Sequence, residues 1–383
     1  VRAALDLVRL GNPGLVSAAG TGVTALWEAL TGPGTHGRPL REVVPWPGDA
    51  TAFPVGDPDA RTLGVDRRVL RTTEKQARLA LLGARLSLDV AGTGDGASRG
   101  LFLGLPTVDQ ELLPLSRAGH LREAAGDPDE VARLYARSAP PFGALENLNS
   151  TAAAHISVLH GLTGAVAVFS PSSEAGLNAL VEGVLSVAEG ESRSALVGGV
   201  SPEIHPLLPL RYEALGWRGA PLGEGAAFLS VEGVEAGAPG VRLAGYARGF
   251  AAASARRGEA LGRVMREAAR MAGMGPGDVG WALVEGSLTE DQERACEEAL
   301  DRFFREAGGE VPVCRTDRVI GHTGPAQPLI HTALAARSLE TGRCLSARNG
   351  PALEAPLLRP AVMVLAAGLS GQMCAVVLTG GEE

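Results

Sequence analysis

The stretch Ala165-Val166-Ala167-Val168-Phe169-Ser170-Pro171-Ser172-Ser173-Glu174-Ala175-Gly176-Leu177 reads as a buried strand, a sharp turn and the start of a helix. The five residues before Ser170 are apolar, short in run and partly β-branched; Ser-Pro-Ser-Ser is turn chemistry; helical periodicity begins at Glu174. A nucleophile on such a turn sits at a helix N-terminus, where free amides and the helix dipole favour negative charge, and Ser173 is placed for that role. The same residues also fit a simple cap, with Ser172 or Ser173 closing the helix and Glu174 favourable in its first turn.

Outward from this segment the rhythm repeats. Helical periodicity predicts helices over 23–30, 74–90, 174–188, 259–271, 290–306 and 329–339, and short Val- and Leu-rich runs predict buried strands over 165–169, 194–197, 226–231, 281–284, 311–314, 362–366 and 375–378. That alternation defines an α/β protein. Residues 92–141 are less regular and richer in turns, as expected of an insertion carrying loops. The Gly-, Ala- and Pro-rich stretch 233–240 reads as a connection between two halves, 1–233 and 236–383. The last two strands have no helix between them, so they are expected to pair antiparallel.

The chain has 383 residues, enough for one large or two ordinary domains, and its 35 basic and 43 acidic residues give a net charge of −8. That balance argues against nucleic acid or an anionic membrane as the main partner. Among the basic residues there is a single lysine, Lys75. Residues 1–20 contain Arg2, Asp6 and Arg9 and so no signal-peptide core, and the apolar run near 361–369 is far too short to span a bilayer. A soluble, cytoplasmic protein is expected. Cys296, Cys314, Cys344 and Cys374 form neither a Cys-x-x-Cys nor a Cys/His cluster, so they read as small buried hydrophobes, with no metal and no cofactor expected.

Four further patterns carry polar residues at strand ends or turns. Gly20-Thr21-Gly22-Val23-Thr24-Ala25 matches a dinucleotide-binding glycine pattern, but the proline-rich stretch 41–54 offers no strand to place an acidic ribose partner. In Ala282-Leu283-Val284-Glu285-Gly286-Ser287-Leu288-Thr289 a strand opens into a polar loop, where Ser287 or Thr289 can cap the helix from Glu290. In Arg318-Val319-Ile320-Gly321-His322-Thr323-Gly324-Pro325-Ala326 a histidine stands on a strand-to-helix turn. Gly368-Leu369-Ser370-Gly371 is either a hairpin turn or a nest of amides that favours an anion.

In this order the motifs resemble those of the β-ketoacyl synthases of the thiolase superfamily, nearly end to end. Leu26-Trp27-Glu28-Ala29-Leu30 is similar to the family's "WEAL" helix, Gly198-Gly199 to its glycine pair after the nucleophile, Gly223-Glu224-Gly225-Ala226 to its GEGA strand entry, and Gly321-His322-Thr323-Gly324 to its second-histidine loop. The resemblance implies a thiolase-like fold of two duplicated halves, each with a mixed five-stranded sheet, stacked as helix, sheet, helix, sheet, helix.

It also implies where the site has changed. Family condensation uses a cysteine nucleophile, two histidines and a lysine; here those positions fall on Ser173, Ser287, His322 and Asp317, while Glu285 keeps the family's glutamate. The glycine turn, through Gly368, Leu369 and Ser370, corresponds to the part supplying an oxyanion amide and a gatekeeper side chain, with Leu369 in the gatekeeper place. A serine hydroxyl needs a general base where a thiolate does not, and a hydroxyl at Ser287 cannot replace an imidazole donating to an enolate. Two roles are compatible with these losses. One is a non-condensing partner, similar to chain-length factors, that dimerises with an intact ketosynthase and shapes the tunnel for an acyl chain carried on the phosphopantetheine of an acyl carrier protein. The other is a Ser173/His322 acyltransferase acting on acyl thioesters.

Overall fold

The computed structural model describes residues 2–91, 98–106, 126–138, 148–306, 311–347 and 352–381. Ten strands lie along one hydrogen-bonded path: β1 (Val8–Ser17), β2 (Arg99–Gly104), β3 (Val166–Phe169), β4 (Ser194–Val200), β5 (Gly225–Gly233), β6 (Val241–Phe250), β7 (Val279–Val284), β8 (Val313–Cys314), β9 (Ala361–Ala367) and β10 (Gln372–Gly380). The first five run in the order β3-β2-β4-β5-β1 and the second five in the order β8-β7-β9-β10-β6. Pairing repeats as well: β2 is parallel to β3 and β4, and β5 is antiparallel to β4 and β1; likewise β7 is parallel to β8 and β9, and β10 is antiparallel to β9 and β6. The halves are therefore duplicates in topology. They join where β1 meets β6 at the pair Leu10↔Val241.

The main helices are α1 (Val23–Thr31), α2 (Lys75–Ala91), α3 (Asn149–His160), α4 (Glu174–Ala188), α5 (Leu207–Ala214), α6 (Arg257–Met271), α7 (Glu290–Glu306) and α8 (Ala326–Thr341). On the outside, α2 packs on β1 and β5 while α6, backed by α7, packs on β6 and β10; between the sheets, α4 lies on β2 and β4, and α8 lies on β5 and β9 against α4. This gives the expected five layers. The sequences of the helices say which layer each occupies. α7 buries Cys296, Ala299, Leu300 and Phe303 at helical spacing and turns its charges outward, as a helix covered on one face does. α4 buries residues on nearly every side, from Leu177 through Val187, because it is sandwiched between two sheets.

Close backbone approach draws α4 and α8 together at the site. A Cβ at Gly176 would collide with the Pro325 carbonyl oxygen, and so would one at Gly199, so only glycine lets the start of α4 and strand β4 sit against the turn that opens α8.

The structure contains three main strands beyond those expected. β1 carries Pro13 and a bulge between Gly11 and Gly14, with Asn12 at φ 46°, which breaks the period-2 pattern. β6 follows directly on the expected connection 233–240 and alternates buried residues with the less buried Arg242, Ala244, Tyr246 and Arg248, so it lacks a continuous apolar run. β2 falls inside the expected insertion over 92–141, because its apolar core is only Leu101-Phe102-Leu103 with glycines on both sides, one of them passing close to the α4 backbone at Gly176. The rest of that span includes the helix Pro128–Ser138, while residues 92–97, 107–125 and 139–141 lie outside the described residues. The structure also adds the helices α3 and α5 to those expected, the six expected helices are present, and among the described residues no helix is long and apolar enough to cross a membrane.

Candidate active site

Ser173 lies where β3 runs into α4, buried to 2% exposure, and its side chain makes no capping bond to the helix. The reading of Ser173 as a cap therefore does not describe this helix. At α7 the cap reading holds instead for Thr289, whose Oγ1 accepts from the Gln292 amide at 3.3 Å.

His322, 5% exposed, stands on the turn before α8, and the Gly286 carbonyl accepts from its Nδ1 at 3.2 Å. Because a carbonyl only accepts, Nδ1 carries the proton and Nε2 of the neutral ring is left with its lone pair. Burial pushes the imidazole down to about 4, against the opposing effect of that carbonyl, so the ring is neutral at neutral pH. The loop is held on both sides, with the His322 amide donating to Pro221 O at 2.8 Å and the Gly223 amide to His322 O at 3.0 Å. The edge of Tyr212 faces the ring at 6.4 Å between centroids.

Ser173 and His322, distant in sequence, line one cavity of about 310 Å³ together with Pro106, Tyr212, Leu369 and Ser370. Among the described residues its wall contains one histidine and neither a cysteine nor a lysine. Ser287 and Asp317 are not in that wall. The Ser287 hydroxyl interacts with the Glu293 carboxylate of α7, lowering its proton affinity together with Arg315, whose guanidinium is 2.5 Å away. Asp317 abuts Gly286 so closely that a Cβ there would collide with its carboxyl group. Glycine at 286 leaves the room that the Asp317 carboxyl takes. Burial raises the Asp317 carboxyl above the usual range, and its Oδ1 has no hydrogen-bond partner.

The turn between β9 and β10 brings Leu369 and Ser370 to the cavity, but Gly368 is not in its wall. The Gly368 amide donates to Gln372 O at 2.8 Å and is occupied within the hairpin. Leu369 packs with Leu208, Tyr212, Trp217 and Leu288. Family glutamate Glu285, 5% exposed, accepts from the Ala367 amide at 2.5 Å, and Gln292 Nε2 donates to the Ala367 carbonyl at 2.9 Å, so the strand entering this turn is held at both its polar groups.

Two side chains at this site escaped the reading of the sequence as functional residues. Glu174 is 2% exposed with neither carboxyl oxygen hydrogen-bonded, and burial raises it to about 7. Its signal was its spacing: Glu174, Leu177 and Val181 fall on one buried face of α4. The other is Lys75, the sole lysine. It ion-pairs with Glu224 at 2.6 Å, and the Glu224 carboxylate also accepts from the amides of Val55 at 2.8 Å and Ile204 at 2.9 Å. The chain's one lysine braces the GEGA strand entry rather than the site. Among the described residues no group of three or more His, Cys, Asp or Glu side chains is arranged to hold a metal ion.

Duplicated halves stacked in five layers, with a serine at the start of one central helix and a histidine before the other, define a thiolase-like acyl-group protein. Residues 18–229 match the model of the β-ketoacyl synthase N-terminal domain, and the chain belongs to the β-ketoacyl synthase family. It is 24% identical over 365 residues to the oxytetracycline polyketide putative β-ketoacyl synthase 1 of Streptomyces rimosus, covering 86% of this chain and 84% of that one. Among solved structures, the ishigamide ketosynthase/chain length factor superposes with a TM-score of 0.77 at 18% identity, covering 97% of this chain and 98% of that one. A type II polyketide ketosynthase solved with its acyl-carrier protein and bound to the hexaketide gives 0.71 at 18% identity, covering 98% and 99%. The protein is thus polyketide β-ketoacyl synthase-like.

Proposed function

We propose that the chain is a non-condensing, chain-length-factor-like subunit that lends cavity walls to an intact ketosynthase elongating an acyl chain on a carrier protein. The observation that carries this reading is the wall of the Ser173 cavity, which has one imidazole and no thiol or ammonium group. Decarboxylation of a malonyl thioester leaves an enolate that needs two donors, and a single histidine supplies at most one. Supporting the assembly, β3 is the open edge of its sheet and Val166 on it is 52% exposed, with Val158 of α3 84% exposed nearby in the chain. An unpaired apolar edge leading straight into Ser173 is suited to strand addition by a partner subunit. The ketosynthase/chain length factor complex among the structural relatives is consistent with such pairing.

Co-expression with an intact ketosynthase of the type II polyketide kind and its acyl carrier protein, followed by mass measurement and product analysis, tests the proposal. A stable pair whose product length changes when Leu369 is enlarged to Phe, and whose output survives Ser173→Ala, is expected. A second reading is favoured by the His322 tautomer: Nε2 keeps its lone pair in the same cavity as the Ser173 hydroxyl, as a general base for acyl transfer requires. Loss of activity in Ser173→Ala, with an acyl ester trapped on Ser173 by intact-protein mass spectrometry, would establish that reading in place of the first.

A further inference from the structure

Behind the cavity lie two buried carboxyl groups to which neither role assigns a part, Glu174 and Glu285, the second in contact with the Ser173 hydroxyl, which favours its charged form against the larger effect of burial. Glu174 and Glu285 both close on the entry to the turn carrying Leu369 and Ser370. Glu285 Oε1 accepts from the Ala367 amide at 2.5 Å, and the Glu174 carboxyl presses on the next residue, where a Cβ on Gly368 would collide with its Oε2. Both Glu174 oxygens and Glu285 Oε2 lack a hydrogen-bond partner. A buried charge left in that state is far costlier than the neutral carboxylic acid, so burial favours the protonated form.

We propose that Glu174 and Glu285 form a protonated clamp on the turn Gly368–Gly371, and that loss of their protons releases the turn and widens the cavity it closes. The groups around the pair leave it to titrate alone near neutrality. From β10, Cys374 faces Glu174 and is pushed up to about 12, with Arg248 of β6 beyond it committed to Glu182 at 2.7 Å. From α7, Cys296 faces Glu285 and also lies at about 12, while Glu293 is paired with Arg315. His322 is neutral and Ser173 does not ionise. Asp317, raised by burial, faces Gly286 rather than the turn.

Burial raises Glu174 to about 7 and Glu285 to about 8, with their mutual repulsion adding to the second. The folded protein therefore holds protons that the unfolded chain has released, so this contribution to stability falls as pH rises from the ordinary carboxyl range to about 8. Glu74, raised by burial to about 7, adds a similar slope elsewhere in the protein, so the test must be local. Amide hydrogen exchange of a peptide covering 366–372, corrected for intrinsic rates, supplies it. In the wild type, protection is expected to fall about tenfold or more between pH 6.5 and 8.5. In the Glu174→Gln/Glu285→Gln double variant, which keeps shape and loses the titration, protection is expected to stay within about twofold, and in Glu174→Gln, which keeps only the Glu285 proton, the fall is expected to be at most half as large on a logarithmic scale as in the wild type and to come at higher pH. If the double variant does not fold, Glu174→Gln alone against the wild type decides. Protection that is flat with pH in the wild type, or that falls equally in the glutamine variants, would overturn the clamp; the readout is amide exchange of the protein free of acyl substrate, so it fails separately from the role proposed for Ser173.

Discussion

The outer edge strands β3 and β8 hold the same place in the two duplicated sheets, yet one is open and the other closed. Among the described residues β3 pairs only with β2, and Val166 is half exposed. β8 is two residues long and fully buried; Cys314 bridges to Ala347, next to the hairpin of Arg343–Ser346 with Leu353–Pro356, and Val313 shares a core with α7. Each strand leads toward a site residue, β3 to Ser173 and β8 through Asp317 to His322. Duplication alone would have given the halves equal edges. Closing one and leaving the other bare puts the surface open to a partner at the end of the molecule whose strand feeds the nucleophile position.

The strongest way to break this comparison is to charge the bare edge. Val166→Asp is expected to weaken association about a hundredfold or more, seen as a shift from pair to single chain by light scattering, with the fold intact by circular dichroism. An unchanged mass would leave the open edge without meaning. Next in size is Lys75→Ala, which strands the buried Glu224 carboxylate in the N-terminal half and is expected to cost about 3–5 kcal/mol in urea unfolding. Breaking the exposed Arg343–Glu354 pair beside the closed edge should cost no more than about 1 kcal/mol.

Gly176→Ala pushes a methyl group against Pro325 O and is expected to destabilise by about 1–3 kcal/mol while separating Ser173 from the His322 loop. A crystal structure of the variant with the cavity unchanged would refute the account of how α4 and α8 meet. The smallest effect is expected at the nucleophile position. Ser173→Cys should leave malonyl-dependent elongation by the isolated chain at least about a hundredfold below that of an intact synthase, because the second imidazole donor is still missing. A radioactive malonyl assay reaching synthase-like rates would show that the cysteine was the one absent part.

The strand–turn–helix around Ser173 was readable because a buried apolar run, a Ser-Pro turn and a helical period follow one another within a few residues, each a local pattern. β1 and β2 were not, because a bulge and flanking glycines erase local periodicity where the chain bends or passes close to another backbone. At the site, the substitutions at Ser173, Ser287 and Asp317 were visible by position, whereas the turning of Ser287 toward α7 was not.

Sequence alone settled which residues are available near the Ser173 turn: the chain's one lysine is at position 75 and it has no cysteine before Cys296. It also set the alternation of strands and helices, since periodicity is a property of neighbouring residues. Only tertiary structure decided that Ser173 and His322 share a cavity, that Lys75 is consumed by Glu224, and that Glu174 is a buried acid pressed on Gly368. Those facts depend on which backbones approach across the two halves, and on how far water is excluded there, which no run of adjacent residues encodes.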